Sequence, residues 1–253
     1  MRTLKIFWQL INTQTLFITL LSVISTYVCH FFGWSAEMPT GIIGIAVVFP
    51  VVFSINAAYK RREQALTYLA NIKGHFMALY YAHRDWIPKN KKHYENQLRS
   101  IALDTFRELS IYLSKNKKRE LLHIYAQISK ISKLHENLRD DKVSVGEISR
   151  ANQYLRSIIL DFEKILNIYD YRTPISLRAY SKVFLNIFPI IFGPFFAWIA
   201  EANNLFAGYL VAILYSVILV SLDNIQDDLE DPFDQIGEDD IQIFIPEESF
   251  VKD

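Results

Sequence analysis

Hydrophobic positions in this chain gather into four runs that contain no Lys, Arg, Asp or Glu: residues 15–34 (TLFITLLSVISTYVCHFFGW), 41–58 (GIIGIAVVFPVVFSINAA), 183–200 (VFLNIFPIIFGPFFAWIA) and 205–222 (LFAGYLVAILYSVILVSL). As helices they reach roughly 27 to 30 Å, the hydrocarbon thickness of a bilayer. A soluble core rarely needs four such runs, joined pairwise across connections as short as 35–40 and 201–204. The pattern therefore predicts four membrane-spanning helices in two pairs. The first run is too long for a signal-peptide core, and FFGWSAEMP offers no small-x-small cleavage site, so it reads as a retained span.

Between the pairs the hydrophobic period becomes helical and half-polar. A helix continues out of the second run over 62–86 and stops near Pro88, where KNKK marks a turn. Over 93–114, Leu98, Ile101, Phe106, Leu109 and Leu113 share a face, and Leu121, Ile124, Ile128 and Ile131 do the same for the next helix. SVGE then announces a further helix, Ser144 capping it and Glu147 returning the bond, with Ile148, Ala151, Leu155, Ile158, Phe162 and Ile165 as its apolar stripe. Thr173 as cap and Pro174 at the first helical position start the helix that leads into the third run, which Pro189 and Gly193-Pro194 bend. No strand pattern, internal repeat or Gly-rich phosphate loop competes. The fold class is all-α: two spans over 1–58, a helical cytoplasmic domain over 59–182, two spans over 183–222 and an acidic tail over 223–253.

Charge is balanced overall, with 27 Lys and Arg against 27 Asp and Glu, but it is segregated. Twenty-four of the cations lie from Lys60 to Lys182, and both short connections between paired runs have none. Both termini and the middle domain are accordingly expected on the cytoplasmic side of the cell membrane. Residues 223–253 hold twelve carboxylates and one Lys. That tail is either a solvated end or a strap around the basic domain of its own or a neighbouring subunit, with Phe233, Ile241, Ile243 and Phe244 as apolar anchors.

Reactive chemistry is sparse, and no catalytic residue or cofactor is expected. Cys29, the single cysteine, reads as a packing residue. His75 and His83 lack a third ligand for a metal. Glu238, Asp239 and Asp240 are weak candidates for calcium, interrupted by Ile236 and Ile241. No nucleophile elbow surrounds a serine. The short basic runs suit solvated turns or acidic lipid headgroups better than nucleic acid.

In the second run, Ile45, Phe49 and Phe53 recur every four residues along one slowly drifting helical face. Such a stripe packs against a neighbouring helix or lines a path. Pro50 removes a donor from the helix and frees the carbonyl of Ala46, which a membrane tolerates where protein or water surrounds it.

The spacing of Ile45, Phe49 and Phe53, followed by Asn56, Tyr59 and Arg61 at the cytoplasmic exit, resembles the pore helix of the bestrophin family and its bacterial relatives. LEDPFDQ, with Asp231, Pro232 and Phe233, resembles the family's Asp-Pro-Phe or Asn-Pro-Phe segment after the last span, and the order of spans, insert and tail is similar. The resemblance implies a homopentamer around an axial pore whose neck is made by rings of Ile45, Phe49 and Phe53, with a second constriction beside Pro174 at Thr173 or Ile175. It also implies membrane lipid and small inorganic ions as partners. Arg62 and Glu63 stand where tryptophans often follow the family's exit arginine, and Ile236 and Gly237 interrupt the acidic run that forms the animal members' calcium clasp, so the chain looks more like the bacterial branch. The expected function is an ion channel passing anions such as chloride or monovalent cations. The alternative is a non-conducting membrane scaffold or signalling adaptor.

Overall fold

The structure, a computed structural model, describes residues 12–87, 91–114, 121–171, 174–235 and 240–250. Eight α-helices are defined among them: α1 Thr13–Phe31, α2 Thr40–Asp85, α3 Lys91–Leu113, α4 Leu121–Asp140, α5 Val145–Asp170, α6 Ile175–Ile191, α7 Gly193–Ala202 and α8 Leu205–Glu230. The described residues contain no strand, and the chain forms two compact units. One comprises Met1–Lys60 and Arg172–Glu230, the other Arg61–Tyr171 and Asp231–Asp253.

In the first unit α1 packs on α6, α7 and α8, and α8 also packs on α6 and α7. Asn12 opens α1 by accepting the amide N–H of Thr15 at 2.9 Å. Three helical stretches among the described residues are long and apolar enough to cross a membrane: Thr13–Phe31, Ile175–Ala202 and Leu205–Glu230. The chain is on this ground a membrane protein. Residues 41–58 form the first part of the 46-residue helix α2, which runs unbroken through Pro50.

The third apolar run is divided between α6 and α7 at Phe192, directly before Gly193-Pro194. Pro194 has no N–H, so the carbonyl of Ile190 loses its helical donor. The Ser25 hydroxyl on α1 donates to that carbonyl at 2.8 Å, and Ser22 donates to the carbonyl of Pro189 at 2.7 Å. The break thus has hydroxyl donors for the carbonyls of Pro189 and Ile190, as a helix interruption in an apolar segment needs. Gly193 is required there, because a Cβ would collide with Ser25 Oγ. The helix leading into this break starts one residue later than expected: the backbone of Pro174 is extended, with ψ 127°, so Pro174 occupies the cap position and Ile175 is the first helical residue. Thr173 lies outside the described residues.

The second unit has one large core that joins the later part of α2 with α3, α4, α5 and the tail. Ser144 caps α5, its Oγ accepting the N–H of Glu147 at 3.3 Å. The tail is a strap on its own unit: Phe233, Ile241, Ile243, Ile245 and Phe250 are buried in this core. Phe244, expected as an anchor, is exposed instead and lies under the Lys73 ammonium at 5.3 Å. In an extended segment alternate side chains face opposite ways, so burying 241, 243 and 245 turns 244 outward. The Phe250 ring meets Tyr80 edge-on at 5.0 Å. Phe250→Ala should therefore cost about 3 kcal/mol, the usual loss for a buried phenylalanine, and thermal melts of the full chain should show it as a fall of several degrees, where a merely solvated tail would leave the melt unchanged.

Candidate functional site

The candidate site lies on α2. Four residues along a helix advance by about 40° beyond a full turn, so Ile45, Phe49 and Phe53 sweep slowly across one face. They are 69 %, 63 % and 51 % exposed, and Val48 and Val52 beside them are exposed as well. On the opposite face Val51, Ser54 and Ala58 are buried, Val51 packing with Leu185 of α6 and Leu219 of α8. The bulky stripe is therefore not the face that α2 uses to pack within its own subunit. Phe49 and Phe53 rings meet edge-on at 4.8 Å and form a continuous apolar surface. Gly41 and Gly44 join Ile45, Val48 and Phe49 in lining a shallow groove at its start.

Asn56 continues the same stripe and is exposed, as is Tyr59 at its edge. Arg61 is placed differently. Its two terminal nitrogens donate to the carbonyls of Tyr171 and Ile168, both at 2.5 Å, so this cation caps the end of α5. Ile175, a candidate for the second constriction, is 76 % exposed at the start of α6. Asp231, Pro232 and Phe233 are buried, and the Pro232 carbonyl accepts the N–H of Ile241 at 2.8 Å, folding the tail back on itself. Of the weak calcium candidates only Asp240 is described. Glu238 and Asp239 lie outside the described residues, among which no group of three metal-ligating side chains occurs.

Sequence reasoning did not bring together a polar cluster in the first unit. Asp223 of α8, almost fully buried, accepts from Asn186 Nδ2 at 2.8 Å and from Gln14 Nε2 at 3.3 Å, while Lys182 pairs with Asp227 at 2.7 Å. Gln14, Lys182 and Asn186, and Asp223 and Asp227 sit at or near the ends of three different apolar runs, and only that shared position hints at the cluster. Amide-to-carboxylate bonds of this kind tie apolar helices together where packing alone is undirected.

No protein-family model and no curated protein matches the sequence. Solved structures do match in fold. Crystal structures of a bacterial bestrophin homologue from Klebsiella pneumoniae align with TM-scores of 0.79 for a form with one tryptophan replaced by alanine and 0.78 for a form with one tyrosine replaced by alanine. Identity is 15 % in both, covering 94 % of this chain and 93 % and 95 % of those chains. The form phased by Zn-SAD aligns at 0.76, again with 15 % identity, over 94 % of this chain and 93 % of that one. This chain has the bestrophin fold.

Proposed function

We propose that this chain with the bestrophin fold is an ion channel, in which five copies surround an axial pore and α2 supplies the neck. The observation that carries the reading is the division of α2 into a buried face at Val51, Ser54 and Ala58 and a bare apolar stripe at Ile45, Phe49 and Phe53. In the proposed assembly residues 41–58 act as a fourth span, and the three side chains form successive rings that water leaves readily and that hold an ion weakly enough to let it pass. Small inorganic ions are the cargo. Asn56 and Tyr59 line the mouth, and Ile175 or Thr173 narrows the path a second time. Both termini are placed on the cytoplasmic side, which the cation distribution favours.

The test combines two measurements on the purified full chain. Native mass spectrometry in mild detergent is expected to give five subunits, and planar bilayers are expected to show single-channel currents whose reversal potential in a salt gradient assigns the ion's charge. A monomer or dimer, or a pentamer that is electrically silent, overturns the reading and leaves a scaffold.

A further inference from the structure

Two histidines that no candidate site includes meet inside the second unit. His83 of α2 and His135 of α4 are 1 % and 2 % exposed, and their rings stack at 5.3 Å with 25° between the planes. His83 Nδ1 lies 2.8 Å from the carbonyl of Leu79, which can only accept, so this nitrogen carries the proton. His135 Nδ1 lies 2.7 Å from the side-chain oxygen of Asn152, and with the amide in this orientation Nδ1 is the donor. Both Nε2 atoms consequently hold lone pairs, and both are buried without a hydrogen-bond partner. Beside His83 is a cavity of about 10 Å³, lined by Trp86, Ile87, Leu138, Val143 and Glu147 among others.

We propose that the His83–His135 pair is an acid-sensitive latch between α2 and α4, closed while both rings are neutral and opened when either takes a proton on Nε2. A proton there creates a buried N–H at an atom that has no hydrogen-bond partner in this arrangement, and a charge beside a second ring with the same need. Asp141 of the α4–α5 turn accepts the Tyr94 hydroxyl of α3 at 2.6 Å and Arg150 of α5 lies over the Trp86 ring at 5.7 Å, while Glu147 of α5 lines the cavity beside His83 and is the carboxylate that faces the pair. Among the described residues no carboxylate is ion-paired with either ring. Burial pushes the His83 pKa from 6.5 down to about 4, the Leu79 carbonyl opposing and His135 adding to the shift. Burial also lowers His135, opposed by the bond to Asn152. Because the folded value lies below the unfolded one, the latch is fully stable above about pH 6.5 and weakens as the pH falls toward 4. This inference stands apart from the channel reading.

Hydrogen exchange of the full chain in detergent tests it, with rates corrected for the chemical effect of pH. Between about pH 7 and about pH 5, opening of the α2–α4 seam near His83 and His135 should increase on the order of 20-fold from the His83 shift alone. The double variant His83→Asn, His135→Asn keeps an amide donor near each Nδ1 and cannot titrate, and its seam should open equally at both pH values. Equal pH dependence in wild type and variant, or none in wild type, overturns the latch. If the variant does not fold, imidazole nitrogen NMR on the wild type decides: titration of both rings near the ordinary 6.5 also overturns it.

Discussion

Replacing Ile45, Phe49 and Phe53 together by alanine is expected to raise the current through reconstituted channels about tenfold or more, which requires the barrier at the neck to fall by only about 1.4 kcal/mol. Three rings of bulky apolar side chains make a narrow stretch where water is unstable and an ion loses hydration. Truncation to alanine widens that stretch at every level and shortens the dry segment. Fold stability should change little, because the three side chains are exposed within the subunit and the buried face of α2 is untouched. That contrast separates the pore from the packing reading. If the stripe serves to pack neighbouring subunits, the triple variant loses assembly in detergent and shows no gain in current.

Gly208→Val should be the most damaging single change in the first unit. A Cβ at this position would stand 2.5 Å from the Phe196 carbonyl oxygen, 2.6 Å from Ala200 Cβ and 3.0 Å from Ala200 Cα. Those neighbours are mostly backbone or close to it, so no side chain can swing aside and α7 and α8 have to separate. Overpacking of this kind costs on the order of 3 kcal/mol, and in a membrane bundle it also removes the close approach that holds the helices together. Size-exclusion profiles and thermal stability in detergent are expected to show loss of folded protein. Gly74→Ala on α2, where a Cβ meets nothing within 4 Å, is the control and should be neutral or slightly stabilising. Equal damage from both would mean that the α7–α8 contact is not what Gly208 serves.

Much of this was legible because a long apolar run and a 3.6-residue period are local properties. The stripes of α3, α4 and α5 are read from spacing alone, and the core residues Leu98, Ile131 and Phe162 are buried as the periodicity implies. The bare face of α2 was legible as a spacing but not as a bare face: Ile45 and Val51 are equally apolar, and only the positions of Leu185 and Leu219 decide which is covered. The tail's inward face was partly legible, and Phe244 shows the limit. Its hydrophobicity suggested burial, whereas extended geometry assigned the inward positions to its neighbours and left its ring to Lys73. His83 and His135, 52 positions apart, come together only through the packing of α2 on α4, and neither carries a local signal. Arg61 is legible as a cation just past the apolar run, but its acceptors, the carbonyls of Ile168 and Tyr171, are backbone groups with no sequence signature.

The two serine bonds at the α6–α7 break also bear on the order in which this protein can be made. Ser22 and Ser25 lie 167 and 165 positions before the carbonyls they satisfy. Synthesis proceeds from the N-terminus, so their helix is available when the broken segment leaves the ribosome. A helix interrupted by Gly193-Pro194 would enter lipid with bare carbonyls if it came first. Coming later, it meets the hydroxyls of α1, which satisfy both carbonyls at the break.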